Sequence, residues 1–377
     1  MRVIYIIHSL PVGGAETLVV NYILKLKQAG VDICLVELYH TDSYLSTKIQ
    51  DSGIPYYTLQ KSNSRIKHLF LRFFYDDSLR KLNKIISDLQ PDVIHYHTVF
   101  KNLDKVIFPI DKCVFTYHSR VERNFNVGSY VRPLIEHLSQ KGMKFIAISQ
   151  LLHDDIEHFF PCAQIVDIPN GVDLEHIRAQ KGKKKDLCEM LSIPEDSFIV
   201  GQVGRFNPVK NHLFTIHLFK DIIRKKENAH LVFVGTGNEG ELRLIKNEIA
   251  KYDLESHVHL IGLRKDATKI MSCFDTLVLP SLSESFSLVL IEAQANNVRC
   301  VASDAVPMDV ICNANCFALS LSAPKQQWID TVIGQNGSKK NRSLLQFDIN
   351  AVVQKHINLY NTMTKVSQVK IHKRDLT

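Results

Sequence analysis

Four groups of side chains have types and spacings suited to chemistry. In "PSLSESFSLVLIEAQANN", residues 280–297, two glutamates, Glu284 and Glu292, stand eight positions apart around an apolar run. On a helix that spacing is about two turns, roughly 11 Å. It exceeds the approximately 5–9.5 Å between carboxylates that flank one glycosidic bond. The pair is therefore suited to holding different parts of one long ligand, a sugar at one end and a ribose at the other; the competing reading is two solvated helix charges. Ser283, Glu284 or Ser285 can cap a helix here, whose first N–H groups, from Phe286, Ser287 and Leu288, would point at an anion. In "VGRFNPVKNH", 203–212, Arg205 and Lys210 set a guanidinium and an ammonium on one loop, a clamp for a diphosphate or two surface charges. "PVGGAE", 11–16, offers Gly13 and Gly14 for close backbone approach to a phosphate, or simply a tight turn. His118, in "FTYHSR", follows an apolar run from which a neutral imidazole could reach a ligand, although it is one of 17 histidines.

These residues need rigid elements to hold them. "RVIYIIHSL" (2–10), "VDICLVELY" (31–39), "PDVIHYHTV" (91–99), "KCVFTYHS" (112–119), "KFIAIS" (144–149) and "QIVDIPNGVD" (164–173) read as buried strands alternating with helical patterns, including 17–28 and 64–89. The grammar repeats in "FIVGQVGRF" (198–206), "HLVFVGTG" (230–237), "VHLIGL" (258–263), "TLVLPS" (276–281) and "RCVASD" (299–304). Helices are expected near 211–226, 239–252 and 286–297, and from about 322 the pattern is helical and polar with a loose loop at 336–343. Continuous apolar strands between helices predict parallel sheets covered on both faces. The fold class is thus α/β: two doubly wound, Rossmann-like parallel-sheet domains facing a deep cleft, with ligands at the carboxyl ends of the strands. The expected divisions are 1–172, 173–350, and a tail at 351–377 that packs back on the first domain.

Composition agrees and excludes. At 377 residues, with 45% apolar and 23% charged residues, the chain is of ordinary globular make-up and long enough for two cores. No run approaches the ~20 apolar residues that span a bilayer, and the start is too short and strand-like for a signal peptide. The net charge of +7 suits an anionic ligand or acidic surface and is too diffuse to indicate nucleic acid. The eight cysteines are scattered without zinc spacing, Cys312 and Cys316 forming the one weak pair. They are expected to be reduced, buried and cytosolic. A dinucleotide-dependent oxidoreductase would need GxGxxG and an acid ending the second strand; neither is present, Glu37 lying inside that strand.

Taken together, "GGAE" (13–16), "PDVIHYH" (91–97), "FTYHS" (115–119), "IPNGVD" (168–173), "VGRFNPVKN" (203–211), "VFVGTG" (232–237) and "PSLSESFSLVLIEAQA" (280–295) occur in the order seen in family-four retaining glycosyltransferases of the GT-B fold. The resemblance spans nearly the whole chain, and its tail is most similar to the bacterial capsule and exopolysaccharide branch. It implies a nucleotide-sugar donor (UDP- or GDP-linked) on the C-terminal domain, a saccharide acceptor, lipid-linked in that branch, on the N-terminal one, retention, and no required metal or other cofactor. Carried over by position, Arg205 and Lys210 would bind the diphosphate, Glu284 the donor sugar, Glu292 the ribose, and His118 would lie beside the reacting sugar. Gly13, Gly14, Asn170, Phe286, Ser287 and Leu288 complete the implied binding residues. One departure stands out: the family's "EGFG" is "ESFS" here, with Ser285 and Ser287 in place of glycines. A catalytically weakened homologue serving as a partner subunit, and a GT-B epimerase, are the alternatives.

An interfacial element is also expected. "SRIKHLFLRFFYDDSLRKLNKII", 64–86, mixes Arg65, Lys67, His68, Arg72, Arg80, Lys81 and Lys84 with Phe70, Phe73 and Phe74. On a helix its apolar residues share one face, which either packs on the core or meets an anionic bilayer. A cytoplasmic enzyme, peripheral on the inner face of the membrane, would result.

Overall fold

The computed structural model describes residues 1–11, 13–60, 71–125, 128–334 and 342–374, apart from the side chains of 71–76, 123–124 and 366–374. The chain divides into one unit formed by Met1–Gly171 with Ile349–Thr377 and a second formed by Val172–Asp348. The C-terminal helix Ile349–Arg374 thus belongs to the first unit, packing on the helix Gly14–Gln28. The domain divisions fall one or two residues earlier than the sequence pattern placed them.

The first unit is a seven-stranded sheet of β1 (Arg2–Ile7), β2 (Asp32–Tyr39), β3 (Tyr56–Gln60), β4 (Val93–Tyr96), β5 (Cys113–Thr116), β6 (Lys144–Ala147) and β7 (Gln164–Asp167). Its order is β3-β2-β1-β4-β5-β6-β7, and every pair is parallel. The second unit holds β8 (Phe198–Val203), β9 (Ala229–Val234), β10 (Val258–Leu260), β11 (Thr276–Leu279), β12 (Arg299–Ser303) and β13 (Cys316–Leu319). Its order is β10-β9-β8-β11-β12-β13, again parallel. Both sheets start in the middle and reverse direction once, so each has a switch point, β1/β4 in the first and β8/β11 in the second. At such a point the loops leaving the strand ends diverge and open a crevice.

Buried strands explain the apolar runs. Val3, Ile4, Tyr5 and Ile6 of β1 are fully buried, as are Leu231, Val232 and Phe233 of β9. In the second unit Trp328 is fully buried, stacked edge-on against Phe214 with its Nε1 donating to Ser320 O at 2.9 Å. Gly204 and Gly235 have φ of +152° and +145°, and a Cβ on Gly235 would lie 1.9 Å from Gly204 O. The β8 and β9 exit loops can approach this closely only with glycine at that position, which shapes the turn presenting Arg205.

Several expectations need correction. The run 164–173 is strand only to Asp167, because the chain must turn there toward the second unit. Cys162 is exposed; the other seven cysteines are buried, and all eight are free. Within 64–86, residues 64–70 and the side chains of 71–76, which carry the expected interfacial face, lie outside those described; the helix is described over Leu71–Leu89. Among the described residues no helix is long and apolar enough to cross a membrane.

Candidate active site

At the β8/β11 switch point the second unit brings two sequence-distant loops together. After β8, Asn207 caps the tight turn Pro208–Lys210 by accepting the Lys210 N–H at 3.0 Å. Gln202, buried on β8, donates to Lys210 O at 2.7 Å and is itself fixed by Thr215 Oγ1 at 2.6 Å. So held, Lys210 extends its Nζ to Glu284 Oε1 at 2.5 Å, and Ser281 Oγ donates to the same oxygen at 2.8 Å. Leu282 N–H to Val209 O, 2.8 Å, ties the two loops through their backbones. The pair is largely buried, the side chains being 21% and 10% exposed. Oε2 of Glu284 has no partner among the described residues. Arg205 is exposed and likewise unpartnered among them. Lys210 is therefore not a second free cation beside Arg205. It neutralises Glu284, because a carboxylate this buried is costly without a cation.

The helix after Glu284 starts later than expected. Ser287, rather than Ser283, Glu284 or Ser285, is its cap, accepting the Leu290 N–H at 3.4 Å, and the helix runs Leu288–Ala295. Serine in place of glycine at 287 thus has a structural use, since its hydroxyl satisfies a first-turn donor. The N–H groups of Ser287 and Leu288 precede the first intrahelical bonds and are available to an anion. Phe286 is buried edge-on against Phe347 at 5.6 Å, so its ring serves packing. Glu292 is half-buried one turn along, and burial pushes its carboxyl up to about 7. It has no hydrogen-bond partner among the described residues. Beyond the helix and its C-cap Asn296, Asn297 has a φ of 59°, the left-handed geometry that asparagine tolerates.

The first unit has its own crevice, a cavity of about 580 Å³ at the carboxyl ends of β1, β2, β4 and β5. His8, Glu16, Tyr39, Lys101 and His118 line it, with His97 beside them. His97 Nδ1 and His118 Nε2 are 2.8 Å apart, and the rings stack at 5.1 Å. Burial lowers His118 to about 4 and His97 well below its ordinary value, so both imidazoles are neutral at physiological pH. The glycine loop borders this cavity. Gly13 is the extended N-cap of the helix Gly14–Gln28, and their neighbours Ala15 and Glu16, rather than Gly13 or Gly14, line the cavity. Asn170 is buried beside Gly171, whose N–H donates to Tyr22 Oη at 2.6 Å, and does not reach the cavity.

Sequence reasoning missed Glu37. Fully buried on β2, it accepts the Leu10 N–H at 2.8 Å and the Tyr56 hydroxyl, while Ser43 Oγ donates to Leu10 O at 2.6 Å. Both backbone groups of Leu10 are thereby pinned, fixing where the glycine loop departs. Gln202 and His97 were also missed. A lone polar residue inside "FIVGQV" and the alternation in "HYH", which puts His95 and His97 on one face of β4, were the available signals. Among the described residues no cluster of three or more histidine, cysteine or acidic side chains is disposed to hold a metal.

Two parallel Rossmann-like sheets in one chain, with convergent charged groups at a strand-end switch point, define the GT-B class of α/β proteins. The chain belongs to the glycosyltransferases of that class: residues 12–176 match the profile described as Glycosyltransferase Family 4, and residues 184–332 match Glycosyl transferases group 1. The EpsF protein of Bacillus subtilis (strain 168) is 32% identical over 209 residues, 52% of this chain and 53% of that protein, so the match spans about half of that relative. The Escherichia coli UDP-Gal:alpha-D-GlcNAc-diphosphoundecaprenol alpha-1,3-galactosyltransferase is 28% identical over 295 residues, covering 75% of this chain and 73% of its own. Among solved structures, Anabaena Alr3699/HepE in complex with UDP-glucose superposes with a TM-score of 0.74 at 18% identity, over 96% of this chain and 100% of that one. At that identity the likeness is one of fold.

Proposed function

We propose that the protein transfers a sugar, with retention of configuration, from a nucleoside-diphosphate sugar to a saccharide acceptor during assembly of a surface glycan. The observation that carries this reading is the Lys210–Glu284–Ser281 constellation at the β8/β11 switch point, beside exposed Arg205 and the Ser287-capped helix. Glu284 Oε2 is free to accept a sugar hydroxyl. Arg205 and the helix N-terminus would offset charge on a departing diphosphate, with Lys210 holding Glu284 beside it, and so lessen the electrostatic need for a metal ion. In the step, the bond from the anomeric carbon to the diphosphate oxygen breaks, a bond to the acceptor oxygen forms on the same face, and the acceptor's proton passes to the departing diphosphate. Glu292 would accept from the ribose. A lipid-linked acceptor is supported by the E. coli relative, whose name specifies a diphosphoundecaprenol substrate. The basic, aromatic stretch 64–86 would then meet the bilayer.

The test is incubation with a panel of radiolabelled UDP- and GDP-sugars, with and without a diphospholipid-linked saccharide, in EDTA and in Mg²⁺. Turnover of one donor in EDTA, with the anomeric configuration preserved by NMR, is expected. Activity strictly dependent on Mg²⁺ would overturn the metal-free step, and failure to bind or turn over any donor would overturn the function. Flotation on anionic against neutral liposomes, at low and high salt, tests the membrane contact; equal recovery on both vesicles counts against it.

A further inference from the structure

The hydrogen bond between His97 and His118 carries one proton, and only one of its two arrangements suits the surroundings. If His118 donated from Nε2, the proton of neutral His97 would sit on its own Nε2. That atom is buried and has no partner. A buried, unpaired N–H costs more than a bare nitrogen lone pair facing aromatic rings, and orphaned donors are the rarer case in folded proteins. The rings flanking His97 are Tyr5 at 4.9 Å and His95 at 4.2 Å. Neither can turn to accept: His95 is engaged at both nitrogens, by Tyr360 Oη and Thr116 Oγ1 at 2.7 Å each, and Tyr5 Oη by Tyr360 Oη at 2.7 Å. In the other arrangement His97 donates from Nδ1 and keeps only a lone pair in the buried stack. The proton of His118 must then lie on Nδ1. His118 is half-buried and lines the cavity, and its Nδ1 is neither paired nor shut away among the described residues.

We infer that His97 is a positioning residue that locks neutral His118 in the Nδ1–H tautomer, so that the cavity presents a hydrogen-bond donor to an oxygen acceptor, a sugar hydroxyl or phosphate oxygen of the ligand. His118 then serves as a donor and not as a base at that atom. Backbone anchoring supports the role, because His97 N–H donates to Ile6 O at 2.8 Å, which fixes its ring relative to β1. The activity arm rests on the transferase reading; the tautomer itself does not.

Long-range ¹H–¹⁵N spectra of the full chain, ¹⁵N-labelled at histidine, assign the protonated nitrogen directly. The expected result is His118 protonated at Nδ1 in the wild type near pH 7.5. His97→Asn retains an N–H close to the Nδ1 position and should keep that tautomer, whereas His97→Phe should let His118 shift toward Nε2–H. With a turned-over donor, His97→Phe should lower kcat roughly tenfold to hundredfold while the donor KM stays within about twofold, and His97→Asn should restore most of kcat. A wild-type His118 protonated at Nε2 overturns the inference whatever the variants do. So does a His97→Phe enzyme with unchanged spectrum and kcat. If no nucleotide sugar is turned over, the functional reading fails and the spectrum still decides the tautomer.

Discussion

Glu292 holds a carboxyl where its surroundings favour the proton. Its value rises from 4.5 to about 7 through burial. Between those two pH values the folded protein binds the proton more than the unfolded chain does, so stability falls as pH rises through this window. The loss is complete above pH 7 and amounts to about 3 kcal/mol at most. Glu292→Gln cannot ionise, so its urea midpoint is expected to exceed that of the wild type at pH 8 and to converge with it near pH 4.5. The same variant should weaken nucleotide binding roughly tenfold to hundredfold, since a charge-assisted hydrogen bond of about 1.5–3 kcal/mol is lost. Glu292→Gln less stable than wild type at pH 8 would refute the burial argument; unchanged affinity by calorimetry would refute the ribose role. Lys210 and Glu284 call for a paired experiment. Removing one partner strands a buried charge, so Lys210→Met is expected to cost about 1–3 kcal/mol of stability, whereas Lys210→Met/Glu284→Gln should recover most of it. Donor binding should stay impaired in both, which separates the scaffold role of the pair from its ligand role.

At the scale of elements, the helix Ile349–Arg374 is pinned into the first unit by one hydroxyl. Tyr360 Oη bridges Tyr5 Oη and His95 Nδ1, all three side chains being fully buried. Tyr360→Phe should destabilise the first unit by about 1–3 kcal/mol, and adding Tyr5→Phe should cost less than the sum of the two, because each removes the other's unpaired partner. Additivity in that cycle would show that the bridge does not hold. The elements themselves were largely legible: a parallel strand buried on both faces is a continuous apolar run, so eleven of the thirteen strand starts could be read to within two residues, whereas the partly exposed edge strands β3 and β13 were missed. Ends were harder. β7 stops at Asp167 although apolar residues continue, and the helix after Glu284 waits for Ser287, because side-chain caps and chain direction, not hydrophobicity, set those limits. The site was legible as residue types on strand-end loops and not as pairs. Lys210 meets Glu284, and His97 meets His118, through the adjacency of β8 with β11 and of β4 with β5, which periodicity does not encode. Asn170 was carried over by motif position alone; it is buried beside Gly171.

At the scale of the whole molecule, the second unit is an insertion in the first. The chain leaves the first unit after Gly171 and re-enters at Ile349, and the two crossings lie side by side: Val172 N–H donates to Phe347 O at 2.8 Å, and a Cβ on Gly171 would lie 3.0 Å from Ile349 Cα. Because these ends are adjacent, joining 1–171 to 349–377 through a short glycine linker should yield a chain that unfolds in one cooperative transition, and 172–348 alone should do the same. Absence of a cooperative transition by circular dichroism in the joined chain would show that the first unit needs the insertion to fold. The arrangement also has a consequence on the ribosome. Tyr5, His95 and the face of the helix Gly14–Gln28 emerge early, but the helix that covers them is translated only after the whole insertion. At roughly 5–20 residues per second that interval is on the order of ten to forty seconds. Throughout it the nascent first unit would display an apolar seam to solvent, while the later-born unit can fold ahead of it.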